Sequence, residues 1–216
     1  MRSEISPVVQ PLDDEPSFIE AARRAQIIQC AIDAIAELGY QRASLYEIAS
    51  RARVSKGVIS YYFTSKDELI RQVVASVYAT AREYMVPLVE RVEGSAAAML
   101  EAFIRANVAY MSAHRNQMLA IIQIAAAFRP ASGSHPLEES SDQSTGELEQ
   151  LMRYGQQTGE FRNFDPRVMA VALRSVIDAH APRIADASPE DLERIANELV
   201  ALFASATTSN RKEQPA

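Results

Sequence analysis

From Ser17 onward, apolar residues recur at three- and four-residue steps. Ile28, Ala31, Ile32, Ile35 and Leu38 line one face of a helix. Gly39, which tolerates a left-handed backbone, follows them, so the spacing predicts a first helix over residues 17–38. Ser44 caps a second helix, with Glu47 three residues on as its capping-box partner and Leu45, Ile48 and Ala49 as its inner face. Ser55 caps a third, whose inner face is Ile59 and Phe63. Small Ala49 and turn-filling Val54 let the last two lie close, which is a helix-turn-helix layout.

The helical pattern continues to the end of the chain. Ser65 and Glu68 open a long helix that the pattern predicts to stop near Pro87. Two apolar helices follow Gly94, the second ending at Arg129-Pro130. A seventh helix begins at Pro136, polar at its start. Asp165-Pro166 and Ser188-Pro189 place a cap and a first-turn proline ahead of an eighth and a ninth. No alternating strand pattern, repeat or low-complexity tract is present. The chain is therefore expected to be all-α, with about nine helices: a three-helix N-terminal helix-turn-helix domain at 17–66 and a larger helical domain at 67–208. Residues 1–16, with Pro7, Pro11 and Pro16, read as a flexible arm, and 209–216 as a disordered tail.

At 216 residues and 48% hydrophobic, the chain has enough apolar material for a sizeable core. Its one cysteine, Cys30, excludes an intrachain disulfide and reads as an inert thiol on an amphipathic helix. The N-terminal residues lack the apolar core of a signal peptide. The longest apolar stretch, residues 118–128, is too short to cross a bilayer. A cytoplasmic protein with no membrane association is expected.

A net charge of -6 would argue against nucleic acid, but the charge is unevenly spread. Arg42, Arg51, Arg53, Lys56 and Lys66 fall within 25 residues that hold Glu47 as their only acid. By itself this suits a solvated charged face as well as a binding face. In a helix-turn-helix protein, however, the second helix of the motif enters the major groove led by its N-terminal residues. Here those are Ser55, Lys56, Gly57, Val58 and Ser60. Lys56 can donate to guanine, and Gly57 permits close approach of the backbone to a base. The hydroxyls of Tyr61 and Tyr62 suit phosphate oxygens, and Ser44 and Lys66 stand at helix ends where phosphates are held.

Residues 23–70, "RRAQIIQCAIDAIAELGYQRASLYEIASRARVSKGVISYYFTSKDELI", resemble the DNA-binding domain of TetR-family transcriptional regulators. The resemblance rests on Leu38-Gly39-Tyr40, Ser44, Ile48-Ala49, Val54-Ser55-Lys56-Gly57, Tyr61-Tyr62-Phe63 and Ser65-Lys66-Asp67-Glu68-Leu69, in that order and spacing. It implies a homodimeric repressor that binds a palindromic double-stranded operator and is released by a small-molecule effector. It also implies that Lys56, Gly57, Val58 and Ser60 face bases, and that Ser44, Ser55, Tyr61, Tyr62 and Lys66 face the DNA backbone. Two positions depart from the common pattern. Arg53 stands where glycine is frequent in the turn, so a positive φ there carries modest strain. Ser60 stands where tyrosine is common, and "GVISYYF" is closer to the variant of regulators of choline–betaine metabolism.

In the second domain, the last two helices carry broad apolar faces, which the resemblance assigns to a four-helix dimer interface. Tyr84, Met85, Phe103, Tyr110, Met111, Met118, Gln123, Phe128 and Asp178 are candidate effector contacts, although side chains of these types also serve as plain core. His114 and His135 lack metal-ligand spacing. No phosphate-binding loop, nucleophile elbow or triad is present, so neither catalysis nor a cofactor is expected. A helical small-molecule carrier or enzyme in which residues 17–66 only pack is the competing reading. The sign of regulation is not encoded in the DNA reader.

Overall fold

The computed structural model describes residues 17–130 and 133–208. The arm expected at 1–16 and the tail expected at 209–216 lie outside these residues. Nine α-helices account for the described chain: α1 Phe18–Leu38, α2 Leu45–Ala52, α3 Lys56–Tyr62, α4 Lys66–Glu90, α5 Ala96–Ala113, α6 Arg115–Ala127, α7 Pro136–Gln157, α8 Pro166–Ile184 and α9 Pro189–Thr207. Among these residues there is no strand, only an isolated antiparallel bridge between Phe161 and Thr208.

Side-chain caps set most helix starts. The hydroxyls of Ser17, Ser44, Ser55, Ser65, Ser95 and Ser188, and the carboxylate of Asp165, each accept a backbone N–H of the first turn. The capping boxes differ from the sequence expectation. Glu47 turns away from Ser44 to bond Arg51 Nε at 3.0 Å, while Glu68 bonds the backbone and hydroxyl of Thr64 instead of Ser65. A complete box forms at Ser17 and Glu20. At the other end of α2, Arg53 adopts φ 53° and ψ 43°, and its N–H bonds the carbonyls of Ala49 and Ser50. This is the strained left-handed conformation that the substitution of glycine by arginine implied.

One boundary is corrected. Pro87 does not stop α4, which runs on to Glu90. A proline removes one donor and crowds the preceding turn, but α5 and α7 pack along this helix and hold it helical. The same tolerance appears at Pro182 inside α8.

Helices α1, α2 and α3 pack on one another around Ile27, Ile35, Ile48, Ile59 and Phe63, all at most 1% exposed. Helix α4 leaves this group and enters the larger set, where α5 and α7 pack along it, α8 packs on α5 and α7, and α9 backs onto α5. Helix α6 lies along α1. The buried apolar residues of both sets form one continuous cluster from Ile27 to Phe203.

Candidate functional site

Helix α3 presents its start to solvent. Ser55, Lys56, Gly57, Ser60 and Tyr61 are exposed, Val58 and Tyr62 are half-buried, and Ile59 and Phe63 anchor the opposite side. The Ser55 hydroxyl accepts the Val58 N–H at 3.3 Å. Tyr61 and Tyr62 meet edge to face at 5.0 Å, and the Tyr61 hydroxyl donates to Glu20 at 3.3 Å. Arg24 pins the end of α3: it donates to the Tyr62 carbonyl at 3.1 Å and lies 4.8 Å from the centre of the Phe63 ring. Ser44 is exposed at the start of α2.

Lys66 departs from the expectation of a phosphate contact. Its ammonium turns inward, donating to the Tyr40 carbonyl at 3.0 Å and lying 4.3 Å from the centre of the Tyr40 ring. Burial lowers its pKa, against the attraction of Asp67.

A second feature lies between α4, α5, α6, α7 and α8. It is a cavity of about 1310 Å³, open to solvent and lined in its interior by Met85, Met99, Phe103, Met111, Met118 and Leu148. Six of the sequence candidates line it: Met85, Phe103, Tyr110, Met111, Met118 and Asp178. Three do not. Tyr84 lies against Tyr110 and His114 on the outer side. Gln123 is exposed beside Gly39. Phe128 is fully buried between Tyr40 and His135, in the seam joining α1 to the larger helical set. Tyr84 and Gln123 sit on helices that flank the cavity and their helical phase turns them from it, whereas Phe128 is the extended residue that follows α6.

The principal polar group of the cavity is one that sequence reading missed. Arg174 is 8% exposed. Its Nε lies 3.0 Å from both oxygens of Asp178, its Nη2 also bonds Asp178, and its Nη1 donates to Asn107 Oδ1 at 3.3 Å. Burial works against its charge, but the attraction of Asp178 and its hydrogen bonds outweigh this and raise the pKa. Tyr78, also in the lining, has its pKa raised by burial, with Arg174 opposing and Asp178 adding. Burial likewise pushes up Tyr110, whose hydroxyl donates to the Val77 carbonyl at 3.2 Å and meets Gln117. The available signal was the i,i+4 pair of opposite charges on an otherwise apolar helix. Among the described residues, no group of three or more His, Cys, Asp or Glu is placed to hold a metal, and no helix is long and apolar enough to cross a membrane.

A helix-turn-helix head thus sits on a larger, hollow helical body. Residues 27–73, which carry α2 and α3, match the family model of bacterial regulatory proteins, tetR family. The chain is 33% identical over 90 residues to the HTH-type transcriptional regulator BetI of Klebsiella pneumoniae (strain 342), an alignment covering 41% of this chain and 46% of BetI. The match thus spans about half the length of such curated relatives. The fold likeness extends further. The regulator FadR from Bacillus subtilis, in complex with stearoyl-CoA, superposes with a TM-score of 0.73 at 22% identity, over 84% of this chain and 97% of FadR. AibR, in complex with isovaleryl coenzyme A and operator DNA, superposes with a TM-score of 0.65 at 20% identity, over 83% and 97%.

Proposed function

We propose that this chain is a ligand-responsive transcriptional repressor that binds a palindromic operator as a homodimer in the cytoplasm and is released when a small molecule fills the cavity. The observation that carries this reading is the outward face of α3, on which Lys56, Gly57 and Ser60 are exposed while Ile59 and Phe63 hold the helix from behind. Residues 17–66 serve as the DNA-binding domain and 67–208 as the effector-binding and dimerisation domain. Lys56, Gly57, Val58 and Ser60 read bases. Ser44, Ser55, Tyr61 and Tyr62 hold the sugar-phosphate backbone.

The dimer is supported by apolar side chains left uncovered on the last two helices: Val168 is 65% exposed, Val171 45% and Leu202 52%. Exposed apolar surface of this kind favours association. AibR's complex with both an acyl-CoA and operator DNA supports the pairing of an effector cavity with a DNA head. The test is a fluorescence-anisotropy titration with DNA from upstream of the protein's own gene, repeated across salt concentrations. The expected result is a sequence-selective affinity that falls with salt. Binding indifferent to both sequence and salt overturns the proposal.

A further inference from the structure

We infer that the effector is an amphiphile with a long apolar body, a neutral hydrogen-bond-accepting head and no phosphate, and that the cavity discriminates against coenzyme A thioesters. The inference rests on the cavity being the effector site and adds the chemistry of what fills it.

Charge is the first observation. The titratable acids of the lining are Glu83, Glu90, Glu138, Glu147 and Asp178; its cations are Arg82 and Arg174. Each cation is already paired: Arg82 with Glu147 at 2.7 Å, and Arg174 with Asp178. The four glutamates are exposed and stand where the cavity meets solvent. A coenzyme A thioester brings several phosphate charges to that opening, where no unpaired cation of the lining meets them and acids repel them. FadR and AibR, which share the fold, are the proteins whose structures hold such thioesters.

The interior supplies the second observation. A guanidinium carries five donors. Those of Arg174 meet Asp178 through Nε and Nη2 and Asn107 through Nη1, which leaves one N–H on each terminal nitrogen without a partner among the described residues. They belong to a residue that lines the cavity. Because Asp178 already neutralises the guanidinium, the complement is a carbonyl or ether oxygen, not a second carboxylate. The apolar lining takes the rest of the molecule.

The test keeps one acyl chain and varies the head: ethyl decanoate, decanoate and decanoyl-CoA, titrated into the full chain by calorimetry. Ethyl decanoate is expected to bind at least about tenfold more tightly than decanoyl-CoA, a ratio equal to about 1.4 kcal/mol that the repulsion of the thioester's phosphates at the acidic opening supplies. The double variant Arg174→Met/Asp178→Leu removes the pair without stranding a charge. It is expected to keep its fold by circular dichroism and weaken ethyl decanoate about tenfold. Glu83→Lys/Glu138→Lys is expected to strengthen decanoyl-CoA. Decanoyl-CoA binding more tightly than the ester, no binding of the ester, or an unchanged affinity in the Arg174 double variant overturns the inference. Anisotropy with operator DNA in the same samples separates the two readings: a chain that binds the ester and ignores DNA sinks the regulator but not the ligand class.

Discussion

The Lys66 ammonium caps the Tyr40 carbonyl at 3.0 Å while resting 4.3 Å from the centre of the same residue's ring. Tyr40 in turn meets Phe128 edge-on at 5.9 Å, and Phe128 meets His135 at 5.5 Å. The first residue of α4 is thereby tied through two aromatic rings to the start of α7. Lys66→Ala is expected to lower stability by about 0.5–2 kcal/mol, the range for a partly desolvated cation–π contact. Its salt slope for DNA should stay that of the wild type, since the ammonium is held within the fold. A slope reduced by about one would instead show a phosphate contact.

Lys56→Ala is expected to cost about 1–3 kcal/mol of operator affinity and to relax selectivity at one base pair, because Lys56 leads an exposed helix start. Anisotropy titrations against a panel of single-base operator variants check this. A loss equal on every sequence would move Lys56 from base reading to phosphate contact.

Arg53→Gly should separate stability from affinity. Relief of the φ 53° conformation is expected to stabilise the fold by up to about 1 kcal/mol. Removing an exposed cation beside the reading helix is expected to weaken DNA binding. Thermal melts and salt-dependent titrations of the same sample read the two effects.

Gly155→Ala tests the packing behind α7. A Cβ at this position would lie 2.1 Å from one ring carbon of Phe161 and 2.4 Å from another, and that ring is 5% exposed. The expected loss is about 1–3 kcal/mol, with Tm falling about 2–4 °C per kcal/mol. The double variant with Phe161→Leu should recover part of it.

The Glu160 carboxylate accepts the N–H of Ala96 at 2.9 Å, the Ser95 hydroxyl at 2.8 Å and the N–H of Ala97 at 3.2 Å. These bonds hold its pKa below the ordinary 4.5, with burial opposing. The folded chain therefore resists protonation more than the unfolded one. The stabilisation is complete above the unfolded pKa and is lost as pH falls through the folded one. The gap in Tm between wild type and Glu160→Gln is expected to be flat from about pH 5 to 8 and to narrow below about pH 4.5. A gap that persists at low pH would remove the carboxylate's charge from the account.

Much of the fold was legible because its signals are local. Ser44, Ser55, Ser65, Asp165 and Ser188 cap the helices that their spacing announced. The end of α4 was misread because Pro87 acts locally, whereas the packing that overrides it comes from α5 and α7. The cavity was only half legible for a similar reason. Met85 and Met118 can be placed on helices from sequence, but whether a side chain faces a hollow or a neighbour depends on rotation about the helix axis, as Tyr84 and Gln123 show. Arg174 was missed because burial of a charge is a tertiary fact, and on one helix it looks like any solvated arginine.

Because α4 survives its proline, a single rod of 25 residues starts just after α3 and finishes against the hollow. At about 1.5 Å per residue it reaches about 37 Å, so a tilt of about five degrees about its middle would carry each end through about 1–2 Å. That displacement rivals the tolerance of a hydrogen bond, so a small tilt at one end of the rod is enough to reposition the other without any helix melting.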